Sequence, residues 1–204
     1  MLTYLVRHAR TAYSANYRVN GRPEVGVPID HVGYEQCRTA KARHRLEAIA
    51  SCVVSDFPRT EQTADLLLAS TIVPRHVERR LGEIDYGAFE GRAFLDYGRW
   101  LDEHGPWRRP PGSTESQREA ILRMLAGLID VLRWPGPRLV VAHGLLVSVI
   151  RQRSIEGVYF PEAPYVTPTR LSDTELQGLA ARLMDEINEE RTSGISADTE
   201  RRTC

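Results

Sequence analysis

Three short, mostly apolar runs set the frame of this chain, and each stops at a polar cluster. Leu2–Val6 ends at Arg7-His8, Cys52–Val54 ends at Ser55-Asp56, and Arg138–Ala142 ends at His143-Gly144. Runs this short, rich in Val and Leu and without alternation, predict strands buried on both faces, as in a parallel sheet. Ile72–Val77 predicts a further strand and Tyr165–Thr169 an edge strand.

Between these runs the pattern turns helical. Gly33–Ala50 carries helix formers and no proline. Pro58 stands where a first helical turn tolerates it, ahead of a helix to about Ala69. A short helix is predicted around Ala93–Glu103. Ser113 or Thr114 is placed to cap a helix to Leu132, with apolar residues at 121, 124, 125, 128, 129 and 132. Gly144 opens another helix, and Leu176–Ile187 is amphipathic. Alternating strands and helices predict an α/β fold with a mostly parallel central sheet. No repeat or linker divides the chain, so residues 1–190 read as one domain. Segment 87–112, broken by Pro and Gly, reads as a small lid insertion, and 191–204 as a polar, mobile tail.

Composition changes this picture little. Lys+Arg and Asp+Glu both number 27, which gives no whole-molecule attraction to nucleic acid or to an anionic membrane. Lys41 is the only lysine, leaving 26 arginines. Most of these reflect composition, and only position separates any that bind an anion. Cys37, Cys52 and Cys204 lie far apart without a CxxC pair, which predicts neither a disulfide framework nor a zinc site. Charge arrives early in MLTYLVRHAR, and the apolar stretch 139–150 is short and interrupted by His143. A cytoplasmic protein without a signal peptide or membrane span is the expectation.

The chemistry gathers at the strand ends. In open α/β sheets ligands bind outside the carboxyl ends of the parallel strands. That rule puts Arg7, His8, Arg59 and His143 at one rim, with helix N-termini beside them to favour an anion. Arginine supplies fixed charge and paired donors, while histidine serves as nucleophile or acid–base group near neutral pH. A phosphoryl group suits this set. The carboxylate partner comes from LGEIDYGAFEG at 81–91, where Glu83 and Asp85 point to the same side if the segment is extended. Tyr86 is a candidate for the pocket wall. In the lid, Trp107, Arg108 and Arg109 offer stacking and charge to a substrate.

These residues resemble the histidine phosphatase superfamily, in its phosphoglycerate-mutase-like branch. Arg7-His8-Ala9 resembles its RHG signature, with Ala9 replacing the glycine, and Thr11 continues the pattern until Ser14 replaces an asparagine. Arg18, Asn20 and Gly21 resemble its R-x-x-G loop. Ser55, Arg59 and Thr63 fit a S-x-x-x-R-x-x-x-T segment, and Leu81 to Gly91 fits L-x-E-x-x-x-G-x-x-E-G. Pro111 to Ser116 resembles a P-G-E-S motif with extra residues, and His143-Gly144 fits the second histidine. The match runs in order from about residue 2 to 150.

The resemblance implies a three-layer sandwich and a phosphatase acting on a small phosphorylated metabolite without metal or cofactor. His8 would be the nucleophile forming a phosphohistidine. Arg7, Arg59 and His143 would hold the phosphoryl oxygens. Glu83 would protonate the leaving group and then activate water, with Asp85 as the alternative acid. Ser14, Asn20, Gly21, Arg22, Tyr86 and Gly144 would border phosphate or substrate. The first rival is a phosphoglycerate mutase, against which Phe94 stands where those mutases resemble one another in having a lysine. The second is a catalytically weak, regulatory phospho-ligand-binding protein. The family contains monomers and dimers, so a homodimer stays open.

Overall fold

The strands β1 (Leu2–Arg7), β2 (Ser51–Val54), β3 (Arg75–Val77), β4 (Arg138–Ala142) and β5 (Thr169–Ser172) form one sheet in the order β3-β2-β4-β1-β5. This is a computed structural model, and it describes residues 1–44, 48–69 and 71–202, with the backbone alone described from 194 to 202. All pairings are parallel except β1 with β5. The register pairs Arg7 with Ala142 and both Val6 and Val54 with Val141, so the carboxyl ends of β1, β2 and β4 share one rim.

Side-chain alternation explains the three layers. Leu5, Val53, Val140 and Ala142 face one core, which is completed by helices α5 (Gln117–Asp130), α6 (Gly144–Gln152) and α7 (Asp173–Arg202). Val6, Cys52, Val54, Leu139 and Val141 face the other, under α2 (His31–Arg43) and α3 (Pro58–Leu67). Buried on both faces, these strands carry no alternating polar positions. The three-layer α/β fold therefore stands as the sequence predicts. A four-residue helix, α1 (Ala12–Ala15), follows β1, and α4 (Phe94–His104) packs Tyr97 and Leu101 into the first core.

Several boundaries differ for local reasons. β3 starts at Arg75, after Pro74, and Ile72 is fully exposed. The antiparallel strand lies at Thr169–Ser172, whereas Tyr165 makes only an isolated bridge to Arg7. The cap of α5 is Ser116, in a capping box with Glu119. Ser113 is spent elsewhere, its hydroxyl donating to the carbonyls of Asp85 and Glu115. The C-terminal helix continues through the polar segment to Arg202. The helix expected over Gly33–Ala50 runs from His31 to Arg43 with His44 as its C-cap, and 48–50 are not helical; residues 45–47 and Cys204 lie outside the described residues. Among the described residues, no helix is long and apolar enough to cross a membrane.

Candidate active site

β1 delivers Arg7 and His8 to the rim. The backbone N–H of His8 continues the ladder onto the carbonyl of Ala142 at 2.9 Å. His8 Nδ1 lies 2.7 Å from the carbonyl of Ala9, a contact that requires the proton on Nδ1. The neutral ring therefore keeps its lone pair on Nε2. The next residue, Ala9, is fully buried and donates its N–H to Thr63 Oγ1, whose hydroxyl donates to the Arg59 carbonyl.

Arg59 reaches this lone pair from the first turn of α3, where Pro58 fixes the helix entry. Its Nε–H donates to His8 Nε2 at 3.0 Å and one terminal nitrogen to His143 Nδ1 at 3.0 Å. The same guanidinium donates to the side-chain and backbone carbonyls of Asn20, and it lies 4.3 Å above the Phe57 ring. Because Arg59 only donates, His143 carries its proton on Nε2 and donates to Ser55 Oγ at 2.7 Å. Ser55 in turn bonds Thr60 Oγ1. Burial pushes both histidines well below the usual imidazole range, and the Arg59 charge pushes further in the same direction. Burial also lowers Arg59, to about 10, which leaves it charged at neutral pH.

Arg7 is held from the far side. One terminal nitrogen donates to Glu162 Oε1 at 2.7 Å and the Ala163 carbonyl at 2.8 Å; the other donates to the Tyr165 hydroxyl at 3.1 Å. Its Nε is buried and without a partner. Gly144, the first residue of α6, leaves space there: an added Cβ would stand 3.5 Å from that Nε.

Glu83 borders the cavity, and enclosure raises its pKa above the ordinary carboxyl value against the opposing charge of Arg59. Its backbone is fixed by Arg123, which donates to the carbonyls of Arg80, Gly82 and Glu83 and pairs with Glu115. Asp85 behaves differently. It does not reach the cavity, because its carboxylate accepts from the N–H groups of Gly87 and Thr114 at 3.0 Å, with Arg22 Nε at 3.6 Å. Burial pushes its pKa up, but these bonds outweigh it and hold the group below its ordinary value. The segment is bent between two 3-10 turns, Arg79–Leu81 and Gly87–Phe89, so the two carboxylates part.

Arg7, His8, Arg59 and Glu83 thus open on one cavity of about 440 Å³, joined by Ser14, Asn20, Tyr86 and Gly144. Asn20 is clamped by Glu90, which accepts from its Nδ2 and from the N–H of Gly21, both at 2.8 Å. Gly21 is required by close approach, since a Cβ there would lie 1.8 Å from the Ile84 carbonyl. Ser14 borders the cavity, but its hydroxyl is used in the capping box of α1 with Thr11.

The structure places the remaining candidates off the cavity wall. His143 joins the cluster but is fully buried and does not reach the cavity wall, because its two ring nitrogens are taken by Arg59 and Ser55. Gly21 and Arg22 stand behind the wall, the latter drawn to Asp85. Trp107, Arg108 and Arg109 do not reach the cavity either. Trp107 packs against the core, Arg109 forks onto Glu119 at 2.7 and 2.8 Å, and Arg108 is exposed. Sequence reasoning missed Glu90, Arg123 and Glu162 as contributors. Glu90 carried a signal, its place in the matched L-x-E-x-x-x-G-x-x-E-G segment, while Arg123 and Glu162 carried none. Among the described residues, no group of three or more His, Cys, Asp or Glu is placed to hold a metal ion.

Comparison with known proteins identifies the family and the fold. The chain is 30% identical over 216 residues, covering 90% of it and 97% of the relative, to the Enterobacter sp. (strain 638) protein named "Probable phosphoglycerate mutase GpmB". Its fold is similar to the alpha-ribazole phosphatase of Shigella flexneri, with a TM-score of 0.65 at 20% identity over 84% of this chain and 90% of that one. It is also similar to a mycobacterial glucosyl-3-phosphoglycerate phosphatase in complex with VO3, with a TM-score of 0.66 at 20% identity over 84% and 92%. At that identity the two structures speak for the fold. The family profile of the histidine phosphatase superfamily (branch 1) matches residues 3–183, and the chain belongs to that superfamily.

Proposed function

We propose that this protein is a phosphatase that hydrolyses phosphomonoesters through a phosphohistidine on His8. One observation carries the reading: the unprotonated Nε2 of His8 stands within 3.0 Å of the Arg59 guanidinium, in a cavity shared with Arg7 and Glu83.

The chemistry follows from these groups. The phosphoryl oxygens take over donors from Arg59 and the free Nε–H of Arg7, which releases the Nε2 lone pair of His8. Nε2 attacks phosphorus, the bond to the ester oxygen breaks, and Glu83 gives its proton to that oxygen. Water then attacks the phosphohistidine, Glu83 takes back a proton, and the P–N electron pair returns to Nε2 as orthophosphate leaves. Positioning and fixed charge supply most of the catalysis in phosphoryl transfer. Glu83, raised by enclosure, suits the acid role. His143 acts through Arg59, whose guanidinium it helps to aim.

The relatives' name favours a second reading, transfer to another hydroxyl of a phosphoglycerate. That reaction has to hold a second acidic group, and among the described cavity residues the only cation besides Arg7 and Arg59 is Arg18. Hydrolysis is therefore the reading we favour. Brief exposure to a ³²P-labelled phosphomonoester should place an acid-labile label on His8, with orthophosphate as product. His8→Ala should abolish both while the fold persists. A label on serine, or turnover retained in the variant, overturns the assignment. Turnover of 3-phosphoglycerate that depends on its bisphosphate primer favours the mutase.

A further inference from the structure

We propose that the rest of this cavity is a subsite for a flat, apolar leaving group, so that the favoured substrates are aryl and arylalkyl phosphomonoesters without a second anionic group. The inference rests on the phosphatase reading above and adds its substrate class.

Away from the phosphoryl-binding groups the wall is aromatic. Tyr86 and Tyr97 line it from within, and Tyr17, Phe94, Tyr159 and Phe160 line it further out. Three of these are unusually exposed for large apolar side chains, Tyr17 at 73%, Phe94 at 41% and Tyr159 at 47%. Exposed aromatic residues gathered at the mouth of one cavity mark a ligand surface rather than a core.

The rings are held there by the backbone. Tyr17 adopts a φ of 52°, a left-handed conformation that a bulky residue rarely takes, and the turn is pinned by the N–H of Phe94 donating to the Tyr17 carbonyl at 2.7 Å. Tyr159 donates its hydroxyl to the Gly98 carbonyl at 2.9 Å, and a Cβ at Gly98 would stand 3.1 Å from that oxygen. A side chain at Gly98 would press on the Tyr159 ring, which lies against α4.

Charge points the same way, and hydrogen bonding adds one polar anchor to the apolar wall. Apart from Arg7, His8, Arg59 and Glu83, the charged side chains among the described lining residues are Arg18 and Glu162. They oppose each other in sign; Arg18 is exposed, and Glu162 is already paired with Arg7. No buried cation waits for a carboxylate on the leaving group. The wall also holds two buried polar atoms without a partner, the Tyr97 hydroxyl and Gln117 Oε1. Gln117 is oriented by its Nε2–H donating to the Val158 carbonyl at 2.9 Å, so Oε1 is left for a hydroxyl or N–H of a ligand.

Benzyl phosphate and glycerol 3-phosphate test this directly, because both release a primary alcohol and differ mainly in the body attached. The full chain is first assayed with p-nitrophenyl phosphate, itself an aryl ester, which shows only that the phosphoryl chemistry runs. We expect kcat/KM for benzyl phosphate to exceed that for glycerol 3-phosphate and 3-phosphoglycerate by about tenfold or more, chiefly through KM. That ratio should fall by about tenfold in Phe94→Ala and in Tyr159→Ala, and return in Phe94→Tyr. Hydrolysis of p-nitrophenyl phosphate with glycerol 3-phosphate or 3-phosphoglycerate favoured over benzyl phosphate overturns the subsite and leaves the phosphatase reading intact. A benzyl preference that neither alanine variant alters also overturns it. Failure to turn over any of the four esters, with no label on His8, brings down the underlying phosphatase reading instead.

Discussion

Arg59 donates its Nε–H to Nε2 of His8 at 3.0 Å, so a fixed cation caps the lone pair of a histidine that is itself only 5% exposed. An imidazolium at that position would face the guanidinium as a like charge in a place that water cannot screen. The arrangement keeps His8 neutral and, in the proposed reaction, stores a donor for an arriving phosphoryl group. It also ties His8, His143 and Asn20 to one side chain, through three different nitrogens.

Arg59→Lys tests how far this depends on the planar fork. Lysine keeps the charge but offers a single nitrogen, which cannot serve His8, His143 and Asn20 together. We expect kcat for a phosphomonoester to fall by about 10²-fold or more, the usual cost of removing an aligned transition-state donor. Steady-state kinetics with p-nitrophenyl phosphate measure it. A loss confined to KM would place Arg59 in ground-state binding alone.

The pH profile follows from two opposite displacements. In the proposed reaction His8 attacks as the neutral ring, and burial with the Arg59 and Arg7 charges holds its pKa well below the usual imidazole value. Activity therefore survives into acid and is lost only when pH falls through that lowered value. Glu83 must be protonated to assist the leaving group, and its pKa is raised. Activity declines as pH rises through that raised value. The expected kcat/KM profile for an alkyl phosphate is a bell whose acid limb is set by His8 and whose alkaline limb is set by Glu83. In Glu83→Gln the alkaline limb should disappear, and its persistence would assign that limb to another group.

Glu83 and Asp85 sit two residues apart, yet only Glu83 borders the cavity. Glu83→Gln should lower kcat for an alkyl phosphate by about 10²–10⁴-fold, the range for one positioned acid–base group. With p-nitrophenyl phosphate, whose leaving group needs no proton, the same variant should give a burst of nitrophenolate and accumulate phosphohistidine, since the water step lacks its base. Asp85→Asn removes a charge that closes the loop onto Gly87 and Thr114, and should cost about 1 kcal/mol of stability with kcat within tenfold. Rapid-quench kinetics and denaturant unfolding separate the two. The reverse ranking would move the acid–base role to Asp85.

What the sequence made legible was the rim. A parallel strand buried on both faces is mostly apolar along its length, so Arg7-His8, Ser55-Asp56 and His143-Gly144 mark where each strand stops, and register does the rest. Arg7, His8 and, one turn into α3, Arg59 come together for that reason, while Glu83 is brought in by the loop that Arg123 holds. The lid cluster failed because its local pattern says nothing about direction. Glu119, the residue that completes the α5 cap, also captures Arg109, and Trp107 turns to the core. Glu162 and Arg123 were invisible for another reason: their partners lie 155 and 40 residues away, and neither belongs to a local motif. The position of β5 likewise depends on pairing with Leu2–Leu5 rather than on its own apolar content.

The same test of position sorts the arginines. Arg138 is as buried as any residue in the sheet, yet it stands at the opposite end of β4 from His143 and turns to structural partners. It donates to Thr3 Oγ1 at 2.9 Å, to Asp173 Oδ1 at 2.7 Å and twice to the Trp134 carbonyl, binding β4 to β1, to the start of α7 and to the turn before β4. Arg138→Met keeps much of the volume and removes every one of those donors. Thr3, fully buried, loses a partner, while Asp173 is partly exposed and retains the N-terminal amine at 3.4 Å, which limits the penalty. We expect a loss of about 2–4 kcal/mol in unfolding free energy with an unchanged denaturant slope, and a kcat near that of the parent below the unfolding transition. Arg59→Lys should show the opposite pattern, a large loss of kcat with little loss of stability. Two arginines of similar burial would then be told apart by experiment as they are by their partners, and a stable but inactive Arg138→Met would break that division.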